Sequence, residues 1–127
     1  MSQHAAALTP HEIVDLYCAA WSDPDAVRRK QLLYAACVAH VGYIDPRART
    51  STADELLEHI AGILARRPGA TVARTSAVDE HHGLARFCWH VVDADGAVLL
   101  DGLDIVEFAA DGKIARVIGF FGGLQAA

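Results

Sequence analysis

The hydrophobic periodicity of the chain changes near residue 69, and this change constrains the fold more than any other feature. In the first half, apolar residues recur at helical spacing; the first such run is Ile13, Leu16, Tyr17, Ala20 and Trp21. In the second half, apolar residues alternate with polar ones at a period of 2, which is typical of β-strands. Helices followed by a series of antiparallel strands predict an α+β domain with three helices on one face of the sheet.

Capping and turn residues give the predicted element boundaries. Residues 9–12 form a capping box with Pro10 at the first helical position, and residues 52–55 form a second one. Asp23 is the predicted cap of a second helix that ends at about Ala36. The other predicted elements are a strand over 38–44 that ends at Asp45-Pro46, a third helix with Leu56, Ile60, Ile63 and Leu64 inward, and strands over 70–79, 84–92, 98–108 and 113–121. Hairpin turns are predicted at 80–83, 93–96 and 111–112.

Size and charge narrow the class of protein. A chain of 127 residues with 53% hydrophobic content predicts one folded domain over residues 1–127. The net charge of −5, from 11 Lys+Arg and 16 Asp+Glu, argues against a nucleic-acid partner, because binding phosphate backbones needs a basic excess. No apolar run approaches the roughly 20 residues that span a bilayer, so no membrane association is expected. Residues 1–8 lack the composition of a signal peptide, and a cytoplasmic location is expected.

The cysteines and histidines do not form a recognisable metal motif. Cys18, Cys37 and Cys88 are widely spaced and contain no C-x-x-C pair, so we interpret them as buried, unreactive thiols. His81 and His82 are adjacent and would point to opposite faces of a strand, and we interpret them as part of a solvated turn. We therefore expect neither a metal ion nor an organic cofactor.

Three polar residues occupy positions that the pattern predicts to be apolar. Asp104 shares one strand face with Val106 and Phe108, Tyr17 lies on the inward face of the first helix, and Asp45 closes a strand. Burial raises the pKa of a carboxyl group, and a neutral carboxyl group can donate a hydrogen bond. Two donors directed at one point can form an oxyanion hole, and a separate carboxylate can shuttle a proton.

The sequence resembles the ketosteroid isomerase branch of the NTF2-like/SnoaL-like superfamily. The segments that carry the resemblance are 13–21, 43–46, 103–108, 111–114 and 119–122, which occur in order along nearly the whole chain. The resemblance implies a cone-shaped, curved antiparallel sheet wrapped around three helices of the N-terminal half, the NTF2-like or cystatin-like roll. It also implies an apolar pocket at the mouth of the cone, an apolar small-molecule ligand and a dimer.

The resemblance implies roles for particular residues. Asp45 matches the proton-shuttling base of the isomerase, and Tyr17 and Asp104 match its two oxyanion-hole donors, a chemistry for which ketosteroid isomerase is itself the standard example. The expected pocket wall consists of Phe87, Trp89 and Phe120, at positions that line the family's pocket, and of Trp21 and the inward-facing His59. Where this chain has His59 and Ile60, the isomerase has further tyrosines, which leaves the substrate open.

Several functions are compatible with these residues. Tyr17 can be an ordinary core tyrosine, Asp45 a turn former and His59 a core histidine. The first hypothesis is an enzyme that moves a proton α to a carbonyl, as an isomerase, a dehydratase or a SnoaL-like cyclase. The second is a non-catalytic module that binds an apolar small molecule. A site like that of limonene-epoxide hydrolase ranks last, because Arg86 has outward parity and is followed by Cys88 where an Asp is needed.

The face of strand 84–92 opposite Phe87 and Trp89 mixes polar and apolar residues. It carries Arg86 and His90 together with Cys88 and Val92. Because this face lies opposite the side that the helices cover, we predict a homodimer that forms through the sheet.

Overall fold

The computed structural model describes residues 7–127, which contain three helices and seven strands. In chain order these are α1 (Pro10–Ala20), α2 (Ala26–Ala36), β1 (Cys37–Asp45), β2 (Ala48–Thr50), α3 (Ala53–Arg66), β3 (Thr71–Arg74), β4 (Asp79–His81), β5 (Leu84–Val92), β6 (Val98–Phe108) and β7 (Ile114–Phe121). Residues 1–6 lie outside the described residues. They make up most of the segment, residues 1–8, whose composition is expected to be unlike that of a signal peptide. None of the helices between residues 7 and 127 is long and apolar enough to cross a bilayer.

The helices start at side-chain caps, with two differences from the prediction. The capping box of α1 is complete, because Thr9 and Glu12 each accept a hydrogen bond from the other's backbone N–H. The cap of α2 is Asp25 and not Asp23: the Asp25 carboxylate accepts two helical N–H groups, whereas Asp23 accepts the N–H of Asp25. At α3, Thr52 caps the helix, but Glu55 accepts the N–H of the preceding Ser51, so the second box is shifted by one residue.

The strands form one curved, mixed sheet around the helices. Its order is β2-β1-β7-β6-β5-β3, and β4 also pairs with β5. The prediction of a cone-shaped α+β fold is confirmed. The sheet is not wholly antiparallel, because β1 runs parallel to β7, and no hairpin turn fixes the relative direction of these two distant strands. Register shifts in three strand pairs add bulges, which bend a sheet locally.

The predicted strand 70–79 is two short strands, β3 and β4. The interruption occurs where Ser76 turns towards β5 and its hydroxyl accepts the N–H of Cys88 at 2.8 Å. The following turn is shorter than predicted, since β4 extends to His81. Only His82 and Gly83 remain between the strands, with φ of 50° and 76°, the left-handed backbone that a two-residue hairpin turn requires.

The core lies between the helices and the concave face of the sheet. Its largest fully buried side chains include Val14, Leu33, Leu56, Ile60, Val41, Phe87, Val106, Ile114 and Val117. Cys18 and Cys37 are buried as predicted, and burial raises the pKa of each thiol to about 12, which keeps both protonated. Cys88 is only partly buried, because it lies on the outer face of β5.

The outer face of the sheet carries exposed apolar side chains. Phe120 and Leu84 are 55% and 37% exposed, and Leu103 and Ile105 lie on the same side of β6. The homodimer through this face stays a prediction.

The absence of a side chain at Gly102 leaves room for the indole ring of Trp89 against β6. A Cβ at this position would overlap both the ring of Trp89 and the backbone carbonyl oxygen of Phe120. We therefore expect Gly102→Ala to lower the free energy of unfolding by about 3 kcal/mol, the upper range for overpacking. Chemical denaturation measures this value. In Gly123→Ala, the added Cβ meets no atom within 4 Å, and stability should be unchanged; equal stability of the two variants would contradict the steric account.

Candidate active site

The open end of the cone contains a cavity of about 860 Å³. It lies between α1, α3 and the concave face of the sheet, and its volume is within the usual range for small-molecule sites. Most of its lining is apolar or aromatic. The buried or partly buried lining residues with polar or titratable groups are Tyr17, Cys18, Trp21, Tyr43, Asp45, His59, Trp89 and Asp104.

Two carboxyl groups flank Gly119 on the floor of this cavity. Gly119 on β7 pairs with Asp104 on β6, and Asp45 ends β1 on the other side of β7. A Cβ at Gly119 would lie 2.9 Å from Oδ1 of Asp104 and 3.4 Å from Cβ of Asp45. Because β1 and β6 are both neighbours of β7, the backbones that carry the two carboxyl groups are about 10 Å apart. Glycine at this position leaves room for the Asp104 carboxyl group, which a side chain at residue 119 would displace.

Asp104 is a buried carboxyl group with one hydrogen bond. The Trp89 indole Nε1–H donates to its Oδ1 at 2.9 Å, and the residue is 7% exposed. Burial raises the pKa of Asp104 to about 7; the Asp45 charge acts in the same direction, and the Trp89 hydrogen bond opposes it. A large fraction of Asp104 is therefore protonated at neutral pH. The proton can reside on Oδ2, because Trp89 already donates to Oδ1.

The hydroxyl group of Tyr17 is a buried donor without a partner. The residue is 2% exposed, and its oxygen has no hydrogen-bond partner among residues 7–127. Burial, reinforced by the Asp104 charge, holds the pKa of this phenol well above its ordinary value, so it stays neutral and able to donate. Two further buried cavity groups, Trp21 Nε1 and His59 Nε2, are also unpartnered within the described structure. Such groups are costly unless a ligand or water satisfies them.

Asp45 has a different environment from Asp104. It is only partly buried, and its Oδ2 accepts a hydrogen bond from the hydroxyl group of Tyr43. Its Oδ1 accepts the backbone N–H of Arg47 at 2.7 Å. Burial and the hydrogen bond to Asp45 raise the pKa of Tyr43 far above its ordinary value, so this phenol remains a donor. Asp45 is thus fixed in position while its carboxylate faces the cavity.

Seven of the eight predicted site residues line this one cavity. They are Tyr17, Trp21, Asp45, His59, Phe87, Trp89 and Asp104. Phe120 does not, since it is 55% exposed on the outer face, and Phe121 lines the cavity instead. The reason is a bulge in β7: Ile114 pairs with Phe108, but Arg116 pairs with Glu107, so one extra residue reverses the alternation.

Sequence reasoning did not find Tyr43 or Arg47. Tyr43 lies two residues before Asp45 on the same strand face, and this parity is the signal that could have found it. Arg47 follows the strand, where no alternation applies. Arg86 is absent from the cavity, because it lies on the outer surface and pairs with Asp79 at 2.9 Å. Among residues 7–127, no group of three or more His, Cys, Asp or Glu side chains is placed to hold a metal ion.

Together, the fold and the cavity define the class of protein: an α+β cone whose open end encloses a small-molecule-sized, largely apolar cavity. No protein-family model and no curated protein matches the sequence. Solved structures do match, and they show that the chain has the fold of the NTF2-like/SnoaL-like superfamily.

Three of the similar structures differ in how closely their sequences match this chain. A proposed isomerase of the SnoaL-like family from Agrobacterium tumefaciens is 29% identical with a TM-score of 0.84, and the match covers 91% of this chain and 100% of that one. An NTF2-like protein of unknown function from Exiguobacterium is 18% identical, with a TM-score of 0.70 and coverage of 88% and 99%. A protein with a ketosteroid isomerase-like fold from Catenulispora acidiphila, in complex with trimethylamine, is 14% identical, with a TM-score of 0.71 and coverage of 90% and 88%.

Proposed function

We propose that this protein catalyses proton transfer at a carbon α to a carbonyl group, in an apolar small molecule held in the cavity, without a cofactor. The observation that carries the proposal is the convergence of two kinds of group on one cavity. Tyr17 offers a buried, unpartnered hydroxyl and Asp104 a carboxyl group with a raised pKa, while the better solvated Asp45 faces the same space. Perturbed titratable groups in a cavity are typical of active sites.

The reaction follows from this division between donors and base. The Asp45 carboxylate takes the proton from the α-carbon, and the C–H electron pair moves into the carbonyl system, so that negative charge develops on the oxygen. Tyr17 and protonated Asp104 donate hydrogen bonds to that oxygen, which is the usual role of an oxyanion hole. When Asp45 returns the proton to a different carbon, the product is an isomer and the enzyme is unchanged.

The two carboxyl groups can perform opposite tasks because their surroundings differ. Asp104 is buried beside an indole ring, which favours the neutral form that donates. Asp45 is only partly buried, and its carboxylate accepts hydrogen bonds from the Tyr43 hydroxyl group and the backbone N–H of Arg47. Tyr43 is thus a positioning residue, which holds the base without contacting the reacting atoms.

The same groups support two related outcomes and one different function. Loss of a hydroxide from the intermediate gives a dehydratase, and attack on a second carbonyl gives a cyclase. If Asp45 takes no proton from any ligand, the cavity belongs to a binding module.

Proton exchange at α-carbons in deuterated buffer tests the proposal directly. The panel contains cyclic enones and Δ5-ketosteroids, and mass spectrometry measures the deuterium incorporated. Exchange above the buffer rate, with or without net isomerisation, is the expected result. Tight binding in thermal-shift assays without exchange in any compound would overturn the catalytic proposal and favour a carrier.

Tyr17→Phe should lower the exchange activity without lowering the stability of the fold. We expect the exchange rate to fall about 10²-fold, because one oxyanion donor is lost. The free energy of unfolding should stay the same or rise by up to about 1 kcal/mol, because the lost hydroxyl is buried without a partner. Exchange and denaturation assays measure the two effects. Tyr34→Phe is the matched control, because its hydroxyl donates to the surface residue Asp54; similar exchange in both variants would exclude Tyr17 as a donor.

The exchange rate should depend on the protonation of Asp104. This carboxyl group donates only when protonated and its pKa is raised to about 7, so the rate is expected to decline as the pH rises through about 7. In Asp104→Asn, the amide donates at every pH, and the decline should disappear. A pH–rate profile of both proteins makes the comparison; an identical decline in the variant would assign it to another group.

A further inference from the structure

Three arginines, Arg47, Arg66 and Arg67, line the mouth of the cavity. All three residues are exposed, so they lie at its opening and not at the buried end that contains Tyr17 and Asp104. Within residues 7–127, none of their guanidinium groups forms a salt bridge. The opening therefore has three guanidinium groups that form no ion pair with a carboxylate of residues 7–127.

Four other arginines, Arg28, Arg29, Arg74 and Arg86, are engaged, whereas Arg49 and Arg116 form no salt bridge within residues 7–127 and do not line the cavity. Arg74 pairs with Asp15 at 2.8 Å, Arg86 pairs with Asp79 at 2.9 Å, and the buried Arg29 donates to backbone carbonyl groups. The chain as a whole has a net charge of −5. A cluster of free guanidinium groups at one opening of an acidic protein produces a local positive potential, which attracts anionic ligands.

The cavity also changes in character along its length. Its buried end holds the donors Tyr17 and Asp104, whereas the exposed arginines lie at its mouth, with the partly buried Asp45 two residues from Arg47. Between them, the wall is apolar and includes Ile63, Leu64, Val72, Val91 and Leu100. An anionic group on a ligand would lose its hydration at the buried end, which holds no arginine, whereas the arginines at the mouth would attract it. This difference between the two ends of the cavity favours one orientation of a ligand that carries an anionic group.

Arg47 is held in place at the mouth. Its guanidinium carbon lies 5.3 Å from the centroid of the Phe121 ring, which is within the range of a cation–π interaction. The planar guanidinium group matches carboxylate and phosphate geometry, and a fixed one loses less entropy on binding. Arg66 and Arg67 line the same cavity from the C-terminal end of α3.

We propose that the ligand is amphipathic: an apolar body fills the cavity, and one anionic group, a carboxylate, sulfonate or phosphate, binds Arg47, Arg66 and Arg67 at the mouth. The arginines are then specificity-determining residues, which place the other end of the ligand against Tyr17 and Asp104. This proposal rests on the proposed function, because it takes the cavity as the substrate site. Its test measures ligand binding alone and requires no reaction.

A matched pair of fluorescent probes tests the proposal. 8-Anilinonaphthalene-1-sulfonate and N-phenyl-1-naphthylamine share one apolar body, and only the first carries an anion. Both should bind the wild-type protein and compete with each other, which shows that they share the cavity. In the double variant Arg66→Gln/Arg67→Gln, the Kd of the sulfonate should rise about tenfold or more, since charge-assisted contacts are lost, while the Kd of the neutral probe should not change. Added salt should weaken binding of the sulfonate alone.

Arg86→Gln is the matched control, because it removes an exposed guanidinium from the outer surface. This variant should bind both probes as the wild type does. Equal loss of sulfonate binding in the control and the double variant would overturn the proposal, and so would sulfonate binding that does not compete with the neutral probe. Proton exchange on neutral ketones is a separate readout: if exchange occurs but the arginines do not distinguish the probes, the proposed function stands and the anionic ligand does not.

Discussion

Asp45→Asn is expected to lower the rate of α-proton exchange by about 10²- to 10⁴-fold, the range that a positioned general base contributes. An amide cannot accept the proton, but it has nearly the shape of a carboxylate. Its oxygen can still accept the N–H of Arg47, and its nitrogen can donate to the Tyr43 hydroxyl group, so both contacts of Asp45 can be replaced. The fold and ligand binding should therefore survive, and the loss should appear in the exchange step itself.

The control for this variant is Asp79→Asn, which removes a carboxylate from the outer surface. It should exchange α-protons at the wild-type rate, and both variants should show the wild-type thermal shift on binding a ketone. Exchange that continues at the wild-type rate in Asp45→Asn would remove Asp45 from the role of base. Loss of binding together with loss of exchange would instead indicate that Asp45 holds the ligand.

Asp104→Asn is expected to change how stability depends on pH. Burial raises the pKa of Asp104 from 3.8 to about 7, so between these values the folded state binds more protons than the unfolded state. The wild-type free energy of unfolding therefore falls as the pH rises from about 4 to about 7, by on the order of 4 kcal/mol from this one group. The asparagine variant lacks this penalty, because it carries no charge at any pH.

The difference in unfolding free energy between variant and wild type isolates this effect. The other titrating groups are common to both proteins, so the variant should gain about 3 kcal/mol relative to the wild type between pH 5 and pH 8.5. Chemical denaturation across this range measures the gain. Asp101→Asn, at an exposed position on the same strand, should show no such trend. A constant difference for Asp104→Asn would mean that the pKa of Asp104 is not raised.

The charged form of Asp104 destabilises the folded protein above neutral pH. A role of this carboxyl group in the site would explain why the residue is an aspartate. Asp104 and Tyr17 both occupy positions where an apolar residue would be more stable, and both face the same cavity. Stability and activity are commonly opposed at such positions. If both expectations for Asp104 are met, the same raised pKa will account for the pH dependence of stability and of exchange.

The local features of the fold were predictable because they depend on neighbouring residues. Thr9 and Glu12 cap α1 through contacts three residues apart, and the alternation around Asp104 places it on the same face as Val106. The break before Pro46 ends β1 at the predicted place. These signals need only the helical period of 3.6, the strand period of 2 and the chemistry of capping.

Other features depend on long-range contacts. The sequence does not indicate that β1 runs parallel to β7, or that Gly102 and Gly119 leave room for the Trp89 ring and the Asp104 carboxyl group. A bulge of one residue in β7 moves Phe121 into the cavity and Phe120 out of it, although both are equally good strand residues.

The amino-acid sequence by itself determined the order of the three helices and of five strand segments, the inward direction of Tyr17 and Asp104 and the position of Asp45 at a strand end, because each of these follows from local spacing. It did not indicate β2 or the division of residues 70–79 into β3 and β4. Only the tertiary structure decided that the three groups share one cavity, that Tyr43 holds Asp45 and that Arg47 joins the end of α3 at the mouth. The physical reason is that pairing between distant strands sets which side chains meet, and a single bulge is enough to change it.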